Sequence, residues 1–261
     1  MNLISYQEPL QSIVERASEA ILAIYNDPDQ FNVEQKKDKS PLTAADKAAN
    51  DIICAGLKEL AGEYPIISEE NKTIEYAVRK DYEYCWMVDP LDGTKEFIKR
   101  NGEFTINIAL LKSNAPILGI IHIPVSGKTY FGSLGNGSFI LNGNQKIPIQ
   151  CRKFDSAEEN LDIICSRSHL SGPTKDYIDQ FKNPVLKSRG SSLKFLEIAE
   201  GNADIYPRIA PTMEWDTAAA HIILEEAGGH LIEFATGTPL RYNKENLLNP
   251  DFIAYGKGIL P

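Results

Sequence analysis

The sequence predicts two halves of different construction, an α+β half followed by an α/β half. Three observations carry this. Apolar residues recur at helical spacing in two stretches before about residue 60, and strand-like runs separated by hairpin turns crowd between residues 84 and 141. After about residue 152, strand and helix signals alternate. The halves are residues 1–152 and 153–261, with no flexible linker and no internal repeat.

In the first half, Leu10, Ile13, Val14, Ala17, Ala20, Ile21 and Ile24 follow the three-four spacing of an amphipathic helix that stops before Asn26-Asp27-Pro28. Charges of both signs from Glu34 to Lys39 read as a solvated loop or hairpin. Thr43 is placed to cap a second helix that buries Ala45, Ala49, Ile52, Ile53, Gly56 and Leu60. The short β-prone run Tyr64-Pro65-Ile66-Ile67 ends in Ser68-Glu69-Glu70. Strands are predicted over 84–88, 104–111, 117–123, 128–133 and 138–141. Lys112-Ser113-Asn114, Ser126-Gly127 and Gly135-Asn136-Gly137 read as hairpin turns between them, giving an antiparallel sheet with two helices beside it. In the second half strands are expected over 161–165, 185–187, 204–207 and 230–233, and helices over 174–181, 191–200 and 215–227. A site would lie where the two halves meet.

Composition excludes several classes. The chain has 261 residues, 43% hydrophobic and 24% charged, which suits a globular protein rather than a disordered tail, a collagen or a disulfide-stapled miniature. A formal net charge of −9 argues against binding polymeric nucleic acid, whose backbone wants a positive surface. A small phosphate substrate stays admissible, because a site can be locally positive or recruit metal ions. Cys54, Cys85, Cys151 and Cys165 contain no C-x-x-C pair and read as buried reduced thiols. No signal-peptide pattern or apolar run of membrane-spanning length appears, so a cytoplasmic protein is expected. Peripheral association with the cytoplasmic face of the inner membrane, and the choice between monomer and homodimer, stay open.

The segment richest in chemistry is Trp86-Met87-Val88-Asp89-Pro90-Leu91-Asp92-Gly93-Thr94-Lys95. An apolar strand runs into two acids three apart, then Gly-Thr, then a short helix from Lys95. Pro90 stiffens the turn, and Gly93 permits close backbone approach. Amides at the helix start suit a phosphate, and the two carboxylates would repel it unless divalent cations lay between. Oxygen donors without nearby His or Cys favour Mg²⁺ over Zn²⁺. A polar turn with an Asp capping a helix is the plain alternative. Glu69 follows a short apolar strand just as Asp89 does, while Asp216, in Glu214-Trp215-Asp216-Thr217-Ala218-Ala219-Ala220, lies in the first turn of an apolar helix. By itself Asp216 reads as a dipole-stabilising acid, and Asp46 as an exposed helix acid. His122 and His221 sit in apolar stretches and read as structural.

Taken together, T-A-A-D ending at Asp46, S-E-E around Glu69, D-P-L-D-G-T at 89–94 and W-D-T-A-A at 215–219 resemble the inositol monophosphatase superfamily of Mg²⁺-dependent, lithium-sensitive phosphatases. The resemblance spans nearly the whole chain and implies a layered α-β-α-β-α sandwich with a metal site between the halves. Within the superfamily, S-R-S-H at 166–169, G-S-S-L-K-F at 190–195, A-D-I-Y-P-R at 203–208 and P-T-M-E-W-D-T-A-A at 211–219 are most similar to the 3′(2′),5′-bisphosphate nucleotidases.

The resemblance assigns roles. Glu69, Asp89 and the Leu91 backbone carbonyl would hold one Mg²⁺, and Asp89, Asp92 and Asp216 a second. Glu69 would reach a third, looser ion through water. Asp46 and Thr94 would form a dyad that orients and deprotonates the attacking water, while the Gly93 and Thr94 amides grip the phosphoryl oxygens. His169, Ser191, Lys194 and Arg208 would meet the nucleotide's second phosphate and its base or ribose. Lys194 lies three residues after Ser191, so on one helix the two share a face. Taken alone, Ser191 reads as an N-cap and Lys194 as a surface charge.

The implied activity is removal of the 3′-phosphate of adenosine 3′,5′-bisphosphate to give AMP and phosphate, with the sulfated form of that nucleotide as a further substrate. An inositol monophosphatase or a fructose-1,6-bisphosphatase-like enzyme shares the fold, and the 166–169 and 190–195 segments speak against both. A haloacid-dehalogenase-like phosphatase needs D-x-D-x-T where this chain has D-x-x-D-x-T. A non-catalytic nucleotide sensor is at odds with the intact Asp46–Thr94 pair.

Overall fold

The computed structural model describes residues 1–27, 33–35, 41–143, 145–165 and 172–260. The first helix, α1 (Gln7–Asn26), buries Leu10, Ile13, Val14, Ala17 and Ile21 along one stripe, as its spacing predicts. A hairpin of β1 (Val33–Gln35) and β2 (Pro41–Thr43) leads into α2 (Ala44–Lys58). Thr43 caps α2: its hydroxyl accepts from the Ala45 N–H, while its own N–H donates to Asp46 Oδ2 at 2.8 Å. Such a cap contributes about 1 kcal/mol and ties the first turn to one geometry.

A seven-stranded sheet follows, in the order β3 (Ile66–Ser68), β4 (Tyr84–Asp92), β5 (Thr105–Lys112), β6 (Ala115–Ile123), β7 (Lys128–Ser133), β8 (Gly137–Asn142) and β9 (Gln145–Pro148). The pairs from β4 onward are antiparallel, as the hairpin turns predict, but β3 joins β4 in parallel. That edge pairing carries the end of β3 to the end of β4, so Glu69 continues the ladder by donating its N–H to the Val88 carbonyl at 3.1 Å. Between β3 and β4 lies a four-residue helix, α3 (Tyr76–Arg79), and after β4 comes α4 (Thr94–Ile98).

Strand alternation sorts side chains into two cores. Trp86, Val88, Ile106, Ile108 and Ile120 face α1 and α2, whereas Cys85, Met87, Ala109, Leu111 and Ile121 face the second half. That second face packs on α6 (Leu193–Ala199) and α7 (Glu214–Glu226). Beyond them lies a five-stranded sheet. Its order is β12 (Val185–Ser188), β11 (Asp162–Cys165), β13 (Ile205–Arg208), β15 (Phe252–Tyr255) and β14 (His230–Glu233). Helix α5 (Gly172–Ile178) packs on its far face, where Tyr177 and Ile178 meet Ile163, Ile205 and Ile253. The layers run α-β-α-β-α. The second sheet is mixed, because β15 runs antiparallel to both its neighbours. A short parallel pair, β10 (Lys153–Asp155) with β16 (Lys257–Ile259), lies outside both sheets.

Helix α7 belongs to the second half by sequence yet lies against β4, β5, β6 and β7. Two glycines let it approach. A Cβ on Gly119 would stand 2.4 Å from the Ala219 carbonyl oxygen, and one on Gly132 would stand 2.9 Å from the Ile223 Cα. Gly119→Ala therefore forces backbone apart and should destabilise the fold by about 1–3 kcal/mol. Urea unfolding checks this, and unchanged stability would mean that the helix does not rest on the sheet backbone.

Candidate active site

The acids owe their convergence to a defect in the sheet. In a regular strand, residues three apart point to opposite faces, so Asp89 and Asp92 would diverge. Here the register shifts between them: Asp89 pairs with Asn107 and Asp92 with Thr105, two residues apart on β5 and therefore on one face. The extra residue also reverses the strand's phase, so Leu91 joins Trp86 and Val88 in the core under α1 and α2. Both carboxylates turn toward α7. Gly93 then adopts φ +96°, a left-handed conformation that begins α4.

Glu69, Asp89 and Asp216 each present a carboxylate oxygen, and the three atoms lie within 4.8 Å of one another. Asp89 is 1% exposed and accepts the Leu91 N–H at 3.0 Å. Burial, followed by the charges of Glu69, Asp92 and Asp216, pushes its carboxyl well above the usual carboxylate range, and the Leu91 N–H offsets this only in part. Asp216, in the first turn of α7, accepts the Met213 N–H at 2.9 Å. Its carboxyl is likewise raised by desolvation, Asp92 and Glu69, with Met213 and Arg208 opposing. The first-turn acid is thus also a member of the carboxylate cluster.

Asp92 is held from one side. Its Oδ2 accepts from the hydroxyls of Ser191 at 2.6 Å and Ser192 at 2.9 Å, with the Asn107 amide at 3.4 Å. Asn107 also donates to the Ser192 hydroxyl at 2.9 Å, and Thr105 lies 2.7 Å from the Ser191 hydroxyl. Thr105, Asn107 and Ser192 are not among the residues expected from sequence. A signal does exist for the first two: they are polar residues at strand spacing inside the apolar run from Phe104 to Leu111.

Asp46 is not the exposed helix acid that its position alone suggests; it is 2% exposed. Thr43 fixes its Oδ2 through the backbone N–H and, at 2.5 Å, through the hydroxyl. Oδ1 is left facing Thr94, whose hydroxyl lies 3.3 Å away and also 3.4 Å from the Leu91 carbonyl.

Two adjoining hollows share Asp92, Gly93, Lys95, Glu96, Thr212 and Asp216. One contains Glu69, Asp89 and Thr94. The other, a cavity of about 230 Å³, contains Ser191, Lys194, Tyr206 and Arg208. Lys194 is a buried cation rather than a surface charge, 7% exposed and 5.5 Å above the Tyr206 ring. Burial is the main cause of a lowered pKa, about 8. Ser191 sits before α6 with φ +49°, so neither the N-cap role nor a shared helix face applies; Ser192 occupies the N-cap. Ser191 and Lys194 meet instead through the Ser191 carbonyl, which accepts from Lys194 Nζ at 2.5 Å. Arg208 ends β13 and donates to the Pro211 carbonyl at 3.0 Å. His169 lies outside the described residues.

The remaining expectations concern structural groups. His122 is buried against the Thr129 hydroxyl, and His221 against Tyr242. All four cysteines are free and buried. Among the described residues no helix is long and apolar enough to cross a membrane.

A fold of this layering, with acids gathered from β3, β4 and α7, defines a class of metal-dependent phosphatases. The chain matches the Inositol monophosphatase family over residues 5–256 and belongs to that family. It is 44% identical over 241 residues to the 3′(2′),5′-bisphosphate nucleotidase CysQ of Shigella flexneri, covering 92% of this chain and 95% of that one. The Escherichia coli K12 protein of the same name is 43% identical over the same span. Among solved structures, CysQ from Bacteroides thetaiotaomicron is 41% identical with a TM-score of 0.85, covering 98% of each chain. An IMPase/NADP phosphatase crystallised with Mg²⁺ and phosphate shares the fold at 19% identity and a TM-score of 0.81.

An acid whose proton is held more tightly in the folded state adds stability below its unfolded pKa and loses that stability as pH rises through the folded value. With Asp89 raised from 3.8, the chelated protein carries this cost at neutral pH. In EDTA at pH 7, Asp89→Asn should therefore melt at a higher temperature than the parent, the gap closing as pH falls toward 4. Thermal unfolding checks this, and a variant less stable at every pH would remove the repulsion from the account.

Proposed function

We propose that the protein is a Mg²⁺-dependent 3′(2′),5′-bisphosphate nucleotidase that hydrolyses adenosine 3′,5′-bisphosphate to AMP and phosphate. The observation that carries this is the junction of the two hollows through Asp92, Gly93 and Asp216. A substrate with one phosphate to be cleaved and one to be held suits a cleft that is acidic at one end and holds Lys194 and Arg208 at the other. The identity to nucleotidases at 40–44% over most of the chain supports the same reading.

The donor set suits hard divalent cations: the converging groups are the carboxylates of Glu69, Asp89 and Asp216, packed closely enough for their charges to require compensation. Glu69, Asp89 and the Leu91 carbonyl would hold one Mg²⁺, and Asp89, Asp92 and Asp216 a second, with Glu69 reaching a third through water. When bound, such ions supply a water of lowered pKa and neutralise charge on the attacking and leaving oxygens. The chain's own residues do the rest. Thr94 donates its hydroxyl proton to Asp46 Oδ1, leaving a lone pair to accept the proton of the attacking water as the bond from phosphorus to O3′ breaks. O3′ takes a proton from solvent and leaves as the 3′-hydroxyl of AMP. Asp46 can take this role because Thr43 occupies its other oxygen. The amides of Gly93 and Thr94 bind the phosphoryl oxygens. Lys194, Arg208, Ser191 and His169 bind the retained phosphate and the nucleoside. Ser191 also steadies Asp92, so its hydroxyl serves both hollows. The enzyme works in the cytoplasm on a small nucleotide, without a nucleic-acid polymer.

Phosphate release from adenosine 3′,5′-bisphosphate, inositol 1-phosphate and fructose 1,6-bisphosphate, with Mg²⁺ and with added Li⁺, tests the proposal. The bisphosphate nucleotide should be strongly preferred and Li⁺ should inhibit; preference for inositol 1-phosphate would overturn it. Lys194→Ala loses a charged hydrogen bond worth about 1.5–3 kcal/mol, so KM for the nucleotide should rise by about tenfold or more. Equal losses on the nucleotide and on a monophosphate would mean that Lys194 does not read the second phosphate.

A further inference from the structure

Arg79 is a buried cation outside both hollows. It is 3% exposed at the end of α3, and among the described residues its hydrogen bonds all go to uncharged acceptors. Nη1 donates to Asn243 Oδ1 at 2.8 Å and to the Lys244 carbonyl at 2.6 Å, and Nη2 to the Glu245 carbonyl at 2.8 Å. Nε donates to the Ile74 carbonyl at 3.3 Å, within its own segment. Asn243 returns its side-chain amide to the Arg79 carbonyl at 2.7 Å. A guanidinium desolvated without a carboxylate at bonding distance is costly, and this one is spent on gripping a loop more than 160 residues away.

That loop leads directly to the site. The backbone N–H of Asn243 donates to Glu214 Oε2, and the Lys244 N–H and ammonium both donate to Glu214 Oε1. Glu214 is fully buried, begins α7, and donates its own N–H to the Leu247 carbonyl at 2.9 Å. Asp216 stands two residues further on. At the other end, the segment from Glu69 to Arg79 packs toward Trp215 and Leu247 around a cavity of about 50 Å³. Glu69 belongs to the segment that Arg79 closes, and Asp216 to the helix whose first residue the loop holds. Their carboxylates are among the three within 4.8 Å.

We propose that Arg79 is a positioning residue of the metal site. Through Asn243 and Glu214 it fixes the spacing between Glu69 and Asp216, and so sets how tightly the site holds divalent cations. The inference rests on the metal-binding reading given above. Lysine keeps the charge but lacks the planar fork that reaches Asn243, Lys244 and Glu245 together.

The test is Mg²⁺ binding to the substrate-free full-length protein by titration calorimetry, with far-UV circular dichroism to confirm folding. Arg79→Lys should bind Mg²⁺ about 10-fold more weakly, in the range found for groups that orient metal ligands. At saturating Mg²⁺, KM for the nucleotide should stay near the parent value. Asn243→Gly, which suits the left-handed backbone of φ +56° and removes the side chain that bonds Arg79, should weaken Mg²⁺ in the same way and stands in if the lysine variant does not fold. Unchanged Mg²⁺ affinity in a folded variant, or a loss shared equally with nucleotide KM, would overturn the proposal while leaving the metal site in place. A parent protein that binds no Mg²⁺ would overturn both.

Discussion

Glu69, Asp89 and Asp216 must be held where their charges oppose one another. At 4.8 Å, two ionised carboxylates in surroundings of effective dielectric about 20 repel by about 3 kcal/mol. Left to itself, the cleft would relax by separation or by protonation, and the raised carboxyls of Asp89 and Asp216 mark the second route. The first route is closed by construction. Asp89 sits in the middle of a nine-residue strand within the sheet, Glu69 is anchored by the parallel ladder to the Val88 carbonyl, and α7 is pressed onto the sheet through Gly119 and Gly132. The core stabilises an arrangement that electrostatics alone would disperse.

Neutral donors complete the arrangement without adding charge. The Leu91 and Met213 N–H groups, the hydroxyls of Ser191 and Ser192 and the Asn107 amide each occupy a carboxylate oxygen. A cationic side chain in their place would compete with a divalent ion for the same oxygens. Lys194, Arg208 and Arg189 stand in the neighbouring hollow, where an anion can use them, and Lys95 lines both. The rise in positive charge from the first hollow to the second gives the cleft a direction.

Much of this is legible in the sequence because its motifs coincide with element ends. Asp46 follows a capping threonine, Glu69 and Asp89 follow short apolar runs, and Asp216 lies in the first turn of an apolar helix, so local pattern and chemistry coincide. The hairpins of the large sheet are equally plain. What escapes local pattern is short or distant. Tyr76–Arg79 is too brief to show a helical period, Gln145–Pro148 is exposed throughout, and Phe252–Tyr255 is a brief apolar run whose antiparallel placement depends on its neighbours. The parallel pairing of Ile66–Ser68 leaves no turn to announce it. Arg79 and Asn243 acquire meaning only once the chain brings positions 164 residues apart into contact.

The displaced register at Pro90 and Leu91 makes chain length part of the acidic cluster's geometry. Removing one residue there would restore regular pairing with both acids still on one face, yielding a better-bonded sheet, but it would cost the turn that brings the Leu91 N–H to Asp89 and the Leu91 carbonyl beside Thr94. Directed evolution that rewarded stability alone would find that deletion attractive, whereas substitution at the acids would leave the spacing intact. In this fold the count of residues between two aspartates carries as much information as the aspartates themselves.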